Sequence, residues 1–175
     1  VRRKLRSVEN NHAKLNSYSL KGDSIPYMGR VYTVVRSNRK EPGLFRGRVH
    51  IPIAGIMEPS EVLIKWYRRK AQTVLRTEFE SIIAFFDVKP DESRVLDLGA
   101  RWGSCSTDGT INLNWKLITL PRSCREYVIF HEFAHLNIHN HSAEFWKHLG
   151  RHLPDWKQKK RELEIAELRF HLSIE

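Results

Sequence analysis

Within the chain, the residues whose types and spacing could do chemistry are His131-Glu132-Phe133-Ala134-His135, the pattern H-E-x-x-H. On an α-helix, residues four apart differ by about 40° of rotation and one turn of rise, so the two imidazoles leave one face and can reach one ion. Imidazole nitrogen binds zinc at about 2.0–2.1 Å. Glu132 is turned about 100° from His131, which puts a carboxylate beside such an ion rather than on it. A carboxylate placed there can take a proton from an attacking water, the layout of metal-assisted hydrolysis. A lone histidine on an apolar helix face is more often a hydrogen-bonded core residue. The combination with Glu132 and a third donor nearby favours the metal.

A catalytic zinc takes three protein ligands and leaves a fourth position to water. His139, His141 and Glu144 are the candidates for the third. On a continued helix His139 would lie about two turns beyond His131, too far for a shared site. His141 is favoured because Asn137 and Asn140 loosen the helical pattern and let the chain turn back. Its spacing from His131 is also that of the third ligand in H-E-x-x-H-x-x-G-x-x-H zinc sites. Ile138 stands at the usual glycine of that pattern and no Met follows Met57, so the turn geometry must differ. Glu144 is the second choice. The expectation is one Zn2+ per chain on His131, His135 and His141, with Glu132 as the base. His148 and His152 read as surface or supporting groups, and His12, His50 and His171 carry no motif.

The elements that must position these residues are legible in outline. The first twenty residues are polar and basic and read as a poorly ordered arm, leaving 21–175 as a single domain. Residues 25–27, 31–35 and 48–53 are β-branched and aromatic runs separated by Gly, Pro and Asn, hence short strands. Pro59-Ser60-Glu61 opens a long amphipathic helix whose apolar residues recur at three and four, from Val62 to Phe86, until Lys89-Pro90 stops it. Residues 94–98 and 110–115 form a second β segment with a turn signal at Thr107-Asp108-Gly109. Residues 110–115 are the candidate sheet edge for an extended substrate. Pro121 starts the helix of the H-E-x-x-H run. Ser142 caps a short helix, Leu153-Pro154 stops it, and Asp155 caps a last, strongly charged one. Strands, a helix, strands and then helices make an α+β domain.

Thirty Lys and Arg against twenty Asp and Glu give a formal charge of +10. That excess favours polyanionic partners but specifies no reaction. Two cysteines, Cys105 and Cys124, make no disulfide framework, so the expected location is the reducing cytoplasm. No apolar run approaches the roughly 20 residues that cross a bilayer, and no membrane partner is expected.

The run Arg101-Trp102-Gly103-Ser104-Cys105-Ser106, then Ile111-Asn112-Leu113-Asn114-Trp115-Lys116-Leu117, His131 to His135, and Asn140-His141-Ser142-Ala143-Glu144-Phe145-Trp146 resembles the YgjP-like metallopeptidase domain. Residues 22–32 look like that family's N-terminal strand pair, and residues 66–71 like its central helix. The resemblance, which extends to the SprT-like and minigluzincin zinc peptidases, implies a zincin-like core carrying His131, His135 and His141 as ligands and Glu132 as base. It implies peptide-bond hydrolysis by a zinc-activated water, with a peptide or protein as substrate. Arg101 to Cys105 read chiefly as packing residues. The competing class is a DNA-associated protein-processing or nucleic-acid-binding module whose metal site is secondary or structural. The basic residues 2–6 and Lys157, Lys159, Lys160 and Arg161 motivate it, although Glu162, Glu164 and Glu167 share the lysines' helix.

Overall fold

The computed structural model describes residues 24–55 and 57–172, so the arm expected over residues 1–20 lies outside the described residues. Strands β1 (Ser24–Tyr27) and β2 (Arg30–Ser37) form an antiparallel hairpin. Its two-residue loop, Met28-Gly29, has positive φ at both positions, the geometry a tight hairpin turn requires. This turn also docks. Met28 N–H donates to the Ile118 carbonyl at 2.8 Å and Gly29 N–H to that of Thr119 at 3.0 Å. A Cβ on Gly29 would stand 2.8 Å from the Pro121 Cα, so only glycine fits there.

Strand β3 (Gly43–Phe45), which the sequence reading missed, pairs antiparallel with β4 (Arg48–Pro52), and β4 runs parallel to β2. The first sheet is therefore β1-β2-β4-β3. Across the chain from it runs helix α1 (Pro59–Ile83), which buries Leu63, Trp66, Tyr67, Ala71, Leu75, Phe79 and Ile82 along one stripe. Its first half stacks with Tyr27 and Trp115: ring centroids lie 4.7 Å apart for Tyr27–Trp66 and 6.1 Å for Tyr67–Trp115. Its second half reaches the helix of the H-E-x-x-H run through Phe79, whose ring lies 4.8 Å from that of Phe133. The helix ends at Ile83, short of the Phe86 limit of the apolar pattern, yet Phe86 still stacks on Phe133 from the following turn.

The second sheet departs from expectation. Strand β5 (Glu92–Leu96) runs parallel to β7 (Thr110–Asn114), and the hairpin partner of β7 is the three-residue strand β6 (Gly103–Cys105). The turn signal at Thr107-Asp108-Gly109 is real but joins β6 to β7, with Ser106 N–H donating to the Thr110 carbonyl at 2.9 Å. The order β5-β7-β6 makes β7 the central strand. Residues 110–115 are thus not an edge; β5 and β6 are, and β6 is the one beside Glu132. Three helices follow a 3-10 turn (Trp115–Thr119): α2 (Arg122–His135), α3 (Ala143–His152) and α4 (Trp156–Leu172). Among the described residues no helix is long and apolar enough to cross a membrane.

Candidate metal centre

Helix α2 is held at its first turn by a buried cation. Arg125 donates through Nε and Nη2 to both Glu78 carboxylate oxygens at 2.8 and 2.5 Å, and through Nη1 to the Leu120 carbonyl at 2.6 Å. From that anchor the helix runs inward with Val128, Ile129, Phe133 and Ala134 buried. Its last turn presents His131 and His135 on one side.

The chain then leaves the helix and comes back. Asn137 and Ile138 N–H both donate to the Ala134 carbonyl, which frays the last turn, and Asn140 Oδ1 accepts from Ser142 N–H at 3.1 Å. This Asx turn redirects the backbone and delivers His141 to the other two rings. Ser142 Oγ then caps α3 by accepting from Phe145 N–H at 3.4 Å.

The three Nε2 atoms converge at 3.0 Å (His131–His141), 3.2 Å (His131–His135) and 3.2 Å (His135–His141). Among the described residues this is the group able to hold a metal, and it includes neither His139 nor Glu144 nor a cysteine. The donor set fits a divalent ion. Nitrogens about 2.0–2.1 Å from a tetrahedral ion stand roughly 3.3 Å apart, close to the triangle observed. His135 Nδ1 donates to the Ile138 carbonyl at 2.9 Å, which leaves the lone pair of its Nε2 facing the cluster. Lone pairs so directed repel one another unless a proton or a cation lies between them. Burial, together with the charge of its neighbours, pushes His131 down to about 3, and burial also lowers His135. Neutral imidazole, the ligand form, therefore prevails at ordinary pH. His131 Nδ1 is buried and lacks a hydrogen-bond partner among the described residues.

Aromatic rings hold the three histidines. Phe145 stacks on His135 at 4.5 Å and meets His131 and His141 edge-on at 5.0 and 4.9 Å. Trp146 stacks on the exposed His141 at 5.6 Å and is itself stacked by Trp156, 4.6 Å away at the start of α4. The open side of the cluster is therefore the His141 side, since His131 and His135 are half-buried.

Glu132 is 7% exposed, and burial pushes its carboxyl up to about 7 against the opposing charge of Arg101. A cation bound beside it would favour the carboxylate again. Its carboxyl group lies directly against Gly103 of β6, a residue the sequence reading treated as part of a packing motif. The only signal was a glycine in a short strand, where it marks close approach of another group. Burial and the neighbouring Glu132 push the Cys105 thiol up to about 11, so it stays protonated. Trp102 Nε1 donates to Glu167 of α4, which makes that ring a structural tie.

Alternation fixes which groups of β6 are free. Asn114 N–H donates to the Trp102 carbonyl at 2.8 Å and Ser106 N–H to the Thr110 carbonyl at 2.9 Å. Residues 102, 104 and 106 thus face β7, and the backbone N–H and C=O of Gly103 and Cys105 point to the open edge.

Of the lysine cluster, Lys159 is committed to Glu126 at 2.9 Å and Asp155 at 3.5 Å. Lys160 lies 4.0 Å from Glu164 and over the Trp146 ring, and Lys157 lies over that of Trp156.

Compared with known proteins, residues 1–166 match the family described as YgjP-like, metallopeptidase domain. No curated protein matches the chain. Among solved structures, it is similar to the metallopeptidase zymogen abylysin of Pyrococcus abyssi, at 20% identity and a TM-score of 0.48 over 56% of this chain and 96% of that one. It is also similar to the metallopeptidase zymogen jannalysin of Methanocaldococcus jannaschii, at 20% identity and a TM-score of 0.44 over 54% and 94%.

Proposed function

The chain belongs to the YgjP-like metallopeptidase domain family, and on that premise we propose a zinc-dependent peptidase with His131, His135 and His141 as ligands and Glu132 as general base. The observation that carries the proposal is the convergence of three imidazole Nε2 atoms within 3.2 Å, with Glu132 next in sequence to one of them. A divalent ion held there supplies Lewis-acid polarisation of the scissile carbonyl and brings the pKa of a water toward about 7.

The remaining steps belong to the chain. Glu132 accepts the proton of the attacking water at its carboxylate and returns it to the amide nitrogen as the C–N bond breaks. Its burial excludes bulk water, so the proton stays with the reacting groups. The free backbone groups of Gly103 and Cys105 pair with an extended substrate strand laid along β6, which gives affinity with little demand on side chains. Such pairing requires a locally unfolded peptide or protein segment. Residues 21–175 act as one peptidase domain in this reading, with one ion per chain.

Glu132→Gln tests the assignment, because it preserves size and hydrogen-bonding reach while removing the basic oxygen. The variant is expected to fold, to keep its zinc and to lose cleavage of an unfolded protein substrate by at least roughly 10²-fold. Loss of zinc along with activity would make Glu132 a ligand or a prop. Full activity with zinc bound would remove it from the reaction.

A further inference from the structure

Gly103 sits where a side chain cannot. A Cβ built on it would lie 2.5 Å from Glu132 Oε1, 2.7 Å from Cγ and 2.8 Å from Cδ. Carbon atoms in good contact stand about 3.5–4.0 Å apart, so all three distances are clashes. They span the Glu132 side chain from Cγ to the carboxylate oxygen, so rotating the terminal carboxylate alone would not relieve them. The whole arm would have to swing from Cγ outward. Gly103 has no need of its own for glycine, since its φ is not among the positive values of this backbone. Its strand neighbours Ser104 and Cys105 both carry side chains.

We propose that Gly103 is a positioning residue for the base: its missing side chain is the seat in which the Glu132 carboxylate rests. This deepens the peptidase reading above and rests on it. Three features make the seat rigid. Strand β6 is anchored to β7 by the alternating ladder from Trp102 to Ser106. The loop entering it is clamped by the buried Asn114, whose Nδ2 donates to the Arg101 carbonyl at 2.7 Å and lies 3.3 Å from that of Gly99. The Glu132 arm itself is buried, so it cannot swing into bulk solvent without leaving its present packing. The seat also joins two functions in one residue. The side of Gly103 without a Cβ receives the base, and its backbone N–H and C=O face the edge where a substrate strand would lie. Contact between base and edge strand puts the proton acceptor next to the substrate backbone, and any side chain at 103 would pry them apart.

The test uses Gly103→Ala, Glu132→Ala and the double variant, each purified with and without zinc. Gly103→Ala is expected to bind one zinc and to keep KM, while kcat for an unfolded protein substrate falls at least tenfold. On the metal-free proteins, Gly103→Ala should lower the melting midpoint by roughly 2–12 °C, as overpacking does. That drop should vanish when Glu132 is already Ala, because the added methyl then meets no carboxylate. A Gly103→Ala enzyme with parental kcat would overturn the proposal. So would a drop in melting midpoint of equal size in both Glu132 backgrounds, or loss of zinc from Gly103→Ala. The two readings fail separately. Parental Gly103→Ala activity alongside an inactive Glu132→Gln removes the seat and leaves the peptidase assignment intact, whereas an active Glu132→Gln removes both.

Discussion

Glu78→Gln takes the counter-charge from the most deeply buried cation among the described residues, Arg125, which is 1% exposed. The guanidinium now gives two of its donors to the Glu78 carboxylate and a third to the Leu120 carbonyl. A glutamine of the same size can accept one bond through its carbonyl oxygen, but its amide group then faces a second donor and no negative charge remains. Breaking a buried pair in this way costs about 3–5 kcal/mol, because the surviving charge has no water to turn to. For a chain of this size each kcal/mol moves the melting midpoint by about 2–4 °C, so the expected drop is roughly 6–20 °C. The midpoint should be followed by circular dichroism on metal-free protein, since a bound ion would raise it by mass action. Replacing both partners with apolar residues, Glu78→Leu with Arg125→Met, should recover most of the loss, to within about 1 kcal/mol of the parent. A Glu78→Gln midpoint within about 2 °C of the parent, or an apolar pair less stable than the single variant, would refute a costly buried ion pair here. Metal content of the folded Glu78→Gln protein should match the parent's, because His131 and His135 lie at the opposite end of α2 from this anchor.

Two further outcomes follow from the site and its surroundings. His131→Ala, His135→Ala and His141→Ala should each bind well under one zinc per chain by metal analysis, and Glu144→Ala should bind as the parent does; normal binding in His141→Ala with loss in Glu144→Ala would exchange the third ligand. Reversing the charges at Lys157 and Lys160 should leave retention on DNA unchanged at every salt concentration, since their helix also carries acidic partners. A weaker and flatter salt dependence in that variant would instead favour a nucleic-acid role.

How much of this was legible in the sequence depends on the range of the interactions involved. The helix that carries His131 and His135 on one face was readable because helical spacing is a local property: residues four apart share a face in any α-helix. The first hairpin, the long amphipathic helix and the Ser142 cap were readable for the same reason. His141 was readable in part, since Asn140 announces a turn, but its arrival beside His131 depends on the Asx geometry and on the Phe145 and Trp146 rings. The second sheet was not readable. Residues 94–98 and 110–115 look like hairpin partners by proximity and by the turn between them, yet β5 pairs with β7 in parallel and the short β6 takes the hairpin. Three residues carry too little pattern to announce a strand, and strand order is settled by contacts between distant segments.

Residue types and local spacing therefore determined the chemistry on offer: three imidazoles, a carboxylate beside them and the helix that presents three of the four. Tertiary structure alone decided where that chemistry faces. It made β6 an edge strand, brought Gly103 against Glu132 and buried Arg125 on Glu78. The reason is physical: a helix repeats every 3.6 residues regardless of context, whereas an edge, a steric seat or a buried ion pair exists only once chain segments tens of residues apart have packed together.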